Sequence, residues 1–265
     1  MKYAFLGAGK MALALVQGML RAGLCPASDI VVSSRSRASL EKFCATTGVG
    51  AAETNAEAAK GADVVVLCVK PTDAVGALKS CGDALAGKLL ISVATGLKIG
   101  KLSEAAPGCR VVRAMPNTAA MVGKSATALA AQNDLPEADL AAAEKIFQAV
   151  GTVYAVGELQ LDAVTGLSGS GPAYIYLVME ALSDGGVAAG LPRKLALELA
   201  IQTVAGAAET AIVTGEHPAL LREMVTSPGG TTIAALATLE TAAVRSAFID
   251  AVKSAAKRSK ELSGE

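Results

Sequence analysis

Along the first 155 residues, short runs of β-branched and aliphatic residues alternate with longer stretches whose apolar positions fall at helical spacing. The runs are YAFLG from residue 3, DIVVSS from 29, ADVVVLCV from 62, KLLISVA from 88 and CRVVRAM from 109. Helical patterns follow the first four, over residues 10–22, 36–47, 72–80 and 98–105. Short strands alternating with helices of this length predict a parallel sheet with crossover helices. A further strand is expected at KSATALAA, from residue 124, and a helix at PEADLAAAEKIF, where Pro136 and the early acidic residues suit a helix start.

After Tyr154 the strand pattern stops. Helices are expected over residues 158–189, 192–214, 218–225, 231–240 and 243–262, cut by Gly190-Leu191-Pro192, by Gly215 to Pro218 and by SPGG from residue 227. Several are apolar on more than one face, as in LALELAIQTVAGAAETAIV from residue 195. A helix apolar nearly all round must be buried, and a half this small cannot bury all of its helices alone. A subunit interface built from the C-terminal helices is therefore expected. The fold class is α/β: an N-terminal Rossmann-type dinucleotide-binding domain, residues 1–155, followed by an all-helical dimerisation domain, residues 156–265. The closing KRSKELSGE reads as a solvated helix end.

Composition narrows the chemistry. The 265 residues are 52% hydrophobic but 3% aromatic, with 27 Gly and no Trp, so the core is built from Ala, Leu and Val at close approach rather than as a β-sandwich. Lys plus Arg and Asp plus Glu both total 24. No net field then steers the chain toward nucleic acid or an anionic membrane, and the expected partner is a small molecule or another protein. Five cysteines, far apart and odd in number, fit neither a disulfide framework nor a zinc site, and read as reduced thiols of a cytoplasmic protein. Lys10 and Gln17 interrupt the opening apolar run, which argues against a signal peptide. Glu180, Asp184, Glu198 and Glu209 interrupt the later ones, so none offers the roughly 18 uncharged residues of a membrane span.

Gly7-Ala8-Gly9-Lys10-Met11-Ala12 follows the first strand and opens the first helix. Gly7 permits the tight turn, Gly9 lets a pyrophosphate approach the backbone, and Ala12 lets helix and strand pack closely. The second strand ends in Ser33-Ser34-Arg35-Ser36-Arg37. No carboxylate stands there to repel a 2′-phosphate, and hydroxyls with a guanidinium can bind one, which favours NADP. Cys68-Val69-Lys70-Pro71 and Ala114-Met115-Pro116-Asn117-Thr118 lie at later strand ends, either as ribose and nicotinamide contacts or as plain strand terminators.

In the second half, GLSGSGP from residue 166 and SPGGTT from residue 227 read as loops that place hydroxyls and free backbone N–H groups before a helix, a receptor for a carboxylate. A serine hydrolase would need G-x-S-x-G, which neither Ser168 nor Ser170 satisfies, and a metal site has no His or Cys cluster. The lone His217 suits a helix-start turn. The segment YIYLVMEALSDGG after the first loop carries no lysine to serve as the base of a hydroxyacid dehydrogenase. Hydride transfer to an acceptor needing little proton help, such as a protonated imine, fits better.

With FLGAGKMA, CVKP, RAMPN, GLSGSGPAY, DGG followed by GLPR, and above all MVTSPGGTTIAAL, the chain resembles the pyrroline-5-carboxylate reductase family over essentially its whole length. The resemblance implies reduction of L-1-pyrroline-5-carboxylate to L-proline with NADPH, or with NADH as the alternative donor. It also implies a cytoplasmic enzyme whose intertwined dimers assemble into a decamer. Cofactor would lie on Leu6, Gly7, Ala8, Gly9, Lys10, Met11, Ser34, Arg35, Asn55, Val69, Lys70, Pro71, Ala94, Met115, Pro116 and Asn117. Substrate would meet Ser227, Gly230, Thr231 and Thr232, its carboxylate on backbone N–H groups and Thr232 at the ring nitrogen, with Thr165 near the nicotinamide. Whether the SPGGTT loop serves a cofactor of its own or of the partner chain stays open. So do two other readings: a reductase of another small imine or keto acid, and a non-catalytic NADP-binding sensor.

Overall fold

The β-branched runs become strands buried on both faces, as a sheet covered by crossover helices requires. Strands β1 (Tyr3–Leu6), β2 (Ile30–Ser33), β3 (Gly50–Ala52), β4 (Val64–Leu67), β5 (Leu89–Ser92), β6 (Arg110–Met115), β7 (Ser125–Ala131) and β8 (Gly151–Ala155) form one eight-stranded sheet in the order 3-2-1-4-5-6-7-8. Pairing is parallel from β3 through to β6, antiparallel between β6 and β7, and parallel between β7 and β8. The expected parallel sheet thus carries an added pair of reversed strands at one edge. The structure, a computed structural model, describes residues 1–263; Gly264 and Glu265, the end of the KRSKELSGE segment, lie outside the described residues.

Two compact units are present: Met1–Ser170 together with the described residues from Ser254 on, and Gly171–Lys253. In the first unit, alternate residues of each strand feed opposite layers. Tyr3 and Phe5 join Leu15 and Met19 of α1 (Lys10–Arg21), Leu40 and Phe43 of α2 (Arg37–Thr47), and residues of the later α6 (Glu137–Gln148), such as Phe147. Ala4 and Leu6 join Ala59 of α3 (Asn55–Lys60), Leu78 of α4 (Pro71–Lys79) and Leu102 of α5 (Ile99–Ala105). A short α7 (Leu161–Val164) runs into a π-helical turn at Thr165–Gly169. Glycine punctuation had marked 166–172 as a loop, but the Ser170 N–H donates to the Thr165 carbonyl at 2.8 Å and the chain stays helical. The N–H groups expected to be free there are therefore partly spent on the turn.

The second unit begins with α8 (Gly171–Ala188) and α9 (Arg193–Thr214), which pack against one another at Gly186, where a Cβ would stand 3.1 Å from the Ala196 methyl. Then come α10 (Pro218–Met224), α11 (Thr231–Thr241) and α12 (Val244–Leu262), whose last turns belong to the first unit through a Ser259 hydroxyl donating to Asp162 at 2.6 Å. Among the described residues α9 buries only Ala196 and Ala200, and α11 buries none. Ile212 and Val213 are 72% and 75% exposed. One copy leaves these helices uncovered, as their all-round apolar pattern required. By length and hydropathy alone α9 could also cross a membrane, although Glu198 and Glu209 lie within it.

Candidate active site

The carboxyl ends of β1, β2 and β4 converge at the point where the strand order reverses, which is where open α/β sheets bind ligands. Backbone bonds hold the three ends level: Gly7 N–H donates to the Ser33 carbonyl at 2.9 Å and Cys68 N–H to the Leu6 carbonyl at 2.8 Å. Between them lies a cleft of about 690 Å³ lined by Gly7, Gly9, Ser34, Arg35, Val69 and Lys70, among others.

The glycines have separate jobs. Gly7 has φ +109°, and a Cβ there would lie 2.9 Å from the Cys68 carbonyl carbon and oxygen. Only glycine lets the turn pass under the neighbouring loop. At Gly9 a Cβ would meet nothing nearer than the Cys68 carbonyl oxygen at 4.0 Å, so the space above it is open. Gly9 caps α1 with no side-chain bond, and no acidic residue stands in the first turn. The N–H groups at the start of α1 thus lack intrahelical acceptors and face that space, an arrangement suited to a pyrophosphate. The residues present fit a dinucleotide.

At the adenosine end, Arg35 points a bidentate guanidinium at Asp73 of α4, with Nη1–Oδ1 at 3.3 Å and Nη2–Oδ2 at 2.8 Å. Asn55 lines the cleft but is wired into the fold: it accepts from the Ser33 hydroxyl at 2.7 Å and donates to the Ser80 hydroxyl at 3.0 Å. A capping box between Thr54 and Glu57 fixes the helix start that carries it. Pro71 is the first residue of α4, which accounts for it as a helix start. Ala94 is 6% exposed, and its N–H donates to Ser92 Oγ at 3.3 Å.

The β6 end is knit to the π-turn. Asn117 donates from Nδ2 to the Ser168 carbonyl at 3.0 Å and accepts from Ala119 N–H at 3.1 Å, while Pro116 is buried. A Cβ at Gly169 would fall 2.5 Å from Met115 Cε, so glycine there admits the methionine. Thr165 donates its hydroxyl to the Leu161 carbonyl at 2.7 Å, which leaves only its lone pairs to meet a ligand. Beside this, the buried Arg113 pairs with Glu158 at 2.8 Å, and Glu158 also accepts from Ile99 N–H at 2.6 Å. Burial pushes the Cys81 and Cys109 thiols up to about 11, so both stay protonated at neutral pH.

In the second unit, Ser227-Pro228-Gly229-Gly230 makes a tight turn closed by Gly230 N–H on the Ser227 carbonyl at 3.1 Å, with Gly229 at φ +64°. Proline followed by a positive-φ glycine is the type II pattern. Gly230 then caps α11 without a side-chain bond, which exposes the N–H groups of its first turn, on which Thr231 and Thr232 sit. His217 is the N-cap of α10, its Nδ1 accepting from Ala219 N–H at 3.2 Å, as its place before Pro218 indicated.

Residues 158–262 match the family of pyrroline-5-carboxylate reductase dimerisation domains, and residues 2–96 match the family described as NADP oxidoreductase coenzyme F420-dependent. A pyrroline-5-carboxylate reductase of Arabidopsis thaliana is 46% identical over 99% of this chain and 95% of its own length. That of Methanosarcina acetivorans is 45% identical over 98% of this chain and 97% of its own length. The chain belongs to the pyrroline-5-carboxylate reductase family. Solved structures of the family superpose closely. The Coxiella burnetii enzyme gives a TM-score of 0.93 at 40% identity, and the Plasmodium falciparum enzyme, solved with NADP bound, gives 0.90 at 32%. In both cases 99% of this chain and 98% of the other are covered. The family is an oxidoreductase family, and the matched dimerisation domain accounts for the uncovered helices of the second unit.

The cleft adds residues that sequence reading missed. Asp73, Thr72, Ser39 and Ser80 line it beside the expected ones. Asp73 and Thr72 follow Pro71 at the start of α4, where a proline and an early acidic residue are a readable helix-start signal.

Proposed function

We propose that the chain reduces L-1-pyrroline-5-carboxylate to L-proline with NADPH, the last step of proline biosynthesis. The observation that carries this reading is that one chain of this family joins a dinucleotide cleft at α1 to a second glycine-capped helix start, at α11, of the right chemistry for a small carboxylate. Residues 1–155 then hold the cofactor and residues 156–265 the substrate and the dimer contacts.

A bound nicotinamide supplies the hydride. The protein's own residues bind and orient. Leu6 to Met11 receive the pyrophosphate, Ser34 and Arg35 the adenosine ribose with its 2′-phosphate, and Val69, Lys70 and Ala94 with the Met115-Pro116-Asn117 segment border the rest. The N–H groups at Gly230, Thr231 and Thr232, with Ser227, take the substrate carboxylate. Thr232 Oγ1 would accept from the iminium N–H and so orient the C=N bond. As hydride adds to the imine carbon, the nitrogen keeps the former π pair and its proton, giving the amine without an enzyme-bound acid. Thr165 presents a lone pair on the nicotinamide side.

The exposed apolar faces of α8, α9 and α11 support a homodimer, and the reading extends to dimers assembled into a decamer. Equal totals of acidic and basic residues and five free cysteines support a cytoplasmic protein without nucleic-acid or membrane partners.

The test is direct. Purified protein given pyrroline-5-carboxylate and NADPH should lose absorbance at about 340 nm, the band of reduced nicotinamide. No loss overturns the reading. Cofactor binding without turnover on any cyclic imine would favour the sensor, and faster turnover of a different imine would reassign the substrate.

A further inference from the structure

The guanidinium expected to read the 2′-phosphate already has an anionic partner. Arg35 is held by Asp73 through two hydrogen bonds, at 2.8 and 3.3 Å, and both residues line the same cleft. The Arg35 side chain is 85% exposed while that of Asp73 is 28% exposed, so the carboxylate is the fixed member and the guanidinium the movable one. Asp73 is the third residue of α4, its N–H donating to the Lys70 carbonyl at 2.9 Å, which sets its position whatever the arginine does. The neighbouring Arg37 does not line the cleft, and it pairs with Glu41 on α2 at 2.9 Å.

We propose that Asp73 is a specificity-determining residue that tempers the preference for NADPH over NADH by competing with the 2′-phosphate for Arg35. A phosphate and a carboxylate want the same planar fork of donors. With a 2′-hydroxyl in the site, Asp73 keeps the arginine and no like charge is brought close. With a 2′-phosphate, the arginine must be shared, and a carboxylate remains beside a doubly charged group. This deepens the proposed function and rests on its assignment of Arg35 to the 2′-phosphate. The pair is solvent-exposed, so its effect is several-fold rather than several orders of magnitude.

The experiment measures equilibrium binding of NADP⁺ and NAD⁺ to the full chain by titration calorimetry, for the native protein and for Asp73→Asn, Asp73→Glu and Arg35→Ala. Asp73→Asn should tighten NADP⁺ by about 3-fold to 10-fold and move NAD⁺ by less than about 2-fold, with the gain shrinking as salt is raised. Asp73→Glu, which keeps the charge, should stay near the native values. Weaker or unchanged NADP⁺ binding in Asp73→Asn, or equal shifts for both ligands, overturns the inference. Arg35→Ala separates the two levels. If it lowers the NADP⁺ to NAD⁺ affinity ratio while Asp73→Asn leaves that ratio alone, only the role of Asp73 falls. If Arg35→Ala leaves the ratio alone, the assignment of Arg35 falls and takes this inference with it.

Discussion

Two helices of this chain, one in each unit, begin in nearly the same way. Gly9 caps α1 at φ −86°, ψ 179°, and Gly230 caps α11 at φ −79°, ψ 178°. Neither cap carries a side-chain bond, neither first turn carries an acid, and each follows a positive-φ glycine, Gly7 or Gly229. What surrounds them differs. Six residues of α1 are buried, Leu15, Val16 and Met19 at 0% exposure, whereas no residue of α11 is buried. A Cβ at Gly7 would strike the Cys68 backbone, while one at Gly229 would meet nothing within 4 Å. The same glycine-capped helix start is therefore built by a sheet and its core in one place. In the other it is built by a local turn on a helix whose faces one copy leaves open.

The largest expected effects test that difference in burial. Leu15→Asp puts an unpaired carboxylate into a closed core, at a cost of several kcal/mol, comparable to the roughly 5 to 15 kcal/mol that holds a domain folded. The chain should not fold at any protein concentration. The same change at Leu239 of α11, 49% exposed in one copy, should leave the first unit intact and raise the dimer dissociation constant by about 100-fold or more. Light scattering and a melting temperature that rises with protein concentration would report it. A Leu239→Asp protein that remains dimeric at nanomolar concentration would mean that α11 is not covered by a second copy.

A step smaller is the pair Gly7→Ala and Gly229→Ala. At Gly7 the wrong φ and the 2.9 Å contact with Cys68 backbone act together, and a loss of about 3 kcal/mol is expected. At Gly229 only the left-handed backbone is penalised, for about 1 kcal/mol. Urea unfolding of both variants measures the gap, and equal losses would remove the claim that the first turn is held by the sheet.

How far the sequence reveals these two sites follows from the same contrast. The turn at Gly7 to Ala12 is legible because its glycine spacing is dictated by contacts within one βα unit, and the expected strand and helix segments on either side of it form. Strand β3, Gly50–Ala52, is not legible: it is three residues long with no β-branched side chain, and is a strand only because β2 pairs with it. The six-residue α3 is illegible for the same reason of length, whereas the edge strand β8 is as long as the expected strands and carries Thr152, Val153 and Tyr154. The π-turn at Thr165–Gly169 falls inside the helix expected over 158–189, but its glycines and serines also read as a loop, while the bond from Ser170 N–H to the Thr165 carbonyl depends on backbone path alone. Asp73 could not be foreseen as the partner of Arg35, because 38 residues separate them and only the sheet's carboxyl edge brings them together.

Thr232→Ala tests the chemistry assigned to the open site. Losing a hydrogen bond to a charged group costs about 1.5 to 3 kcal/mol, so turnover should fall by roughly 10-fold to 150-fold. NADPH binding should change much less, since Thr232 belongs to the other unit from the cleft. Unchanged kcat would remove Thr232 from the role given to it at the ring nitrogen.

Gly9→Ala has the smallest effect expected on stability and is the one that separates fold from function most cleanly. Gly9 lies at φ −86°, which any residue adopts, and an added methyl would find only the Cys68 carbonyl oxygen, 4.0 Å away. Stability should therefore stay within about 0.5 kcal/mol of native, the range for substitutions away from packed or strained positions. The methyl does occupy the space through which a pyrophosphate must come down onto the first N–H groups of α1. Affinity for NADP⁺ and NAD⁺ should then fall together by about tenfold, roughly one hydrogen bond to a charged group. Set beside Gly7→Ala, two methyl groups placed two residues apart would give opposite results, one weakening the fold by about 3 kcal/mol, the other leaving the fold near native and weakening the ligand about tenfold. If Gly9→Ala also unfolds the protein, the open face inferred from the 4.0 Å clearance is filled by the chain itself, and α1 is a structural helix start like any other.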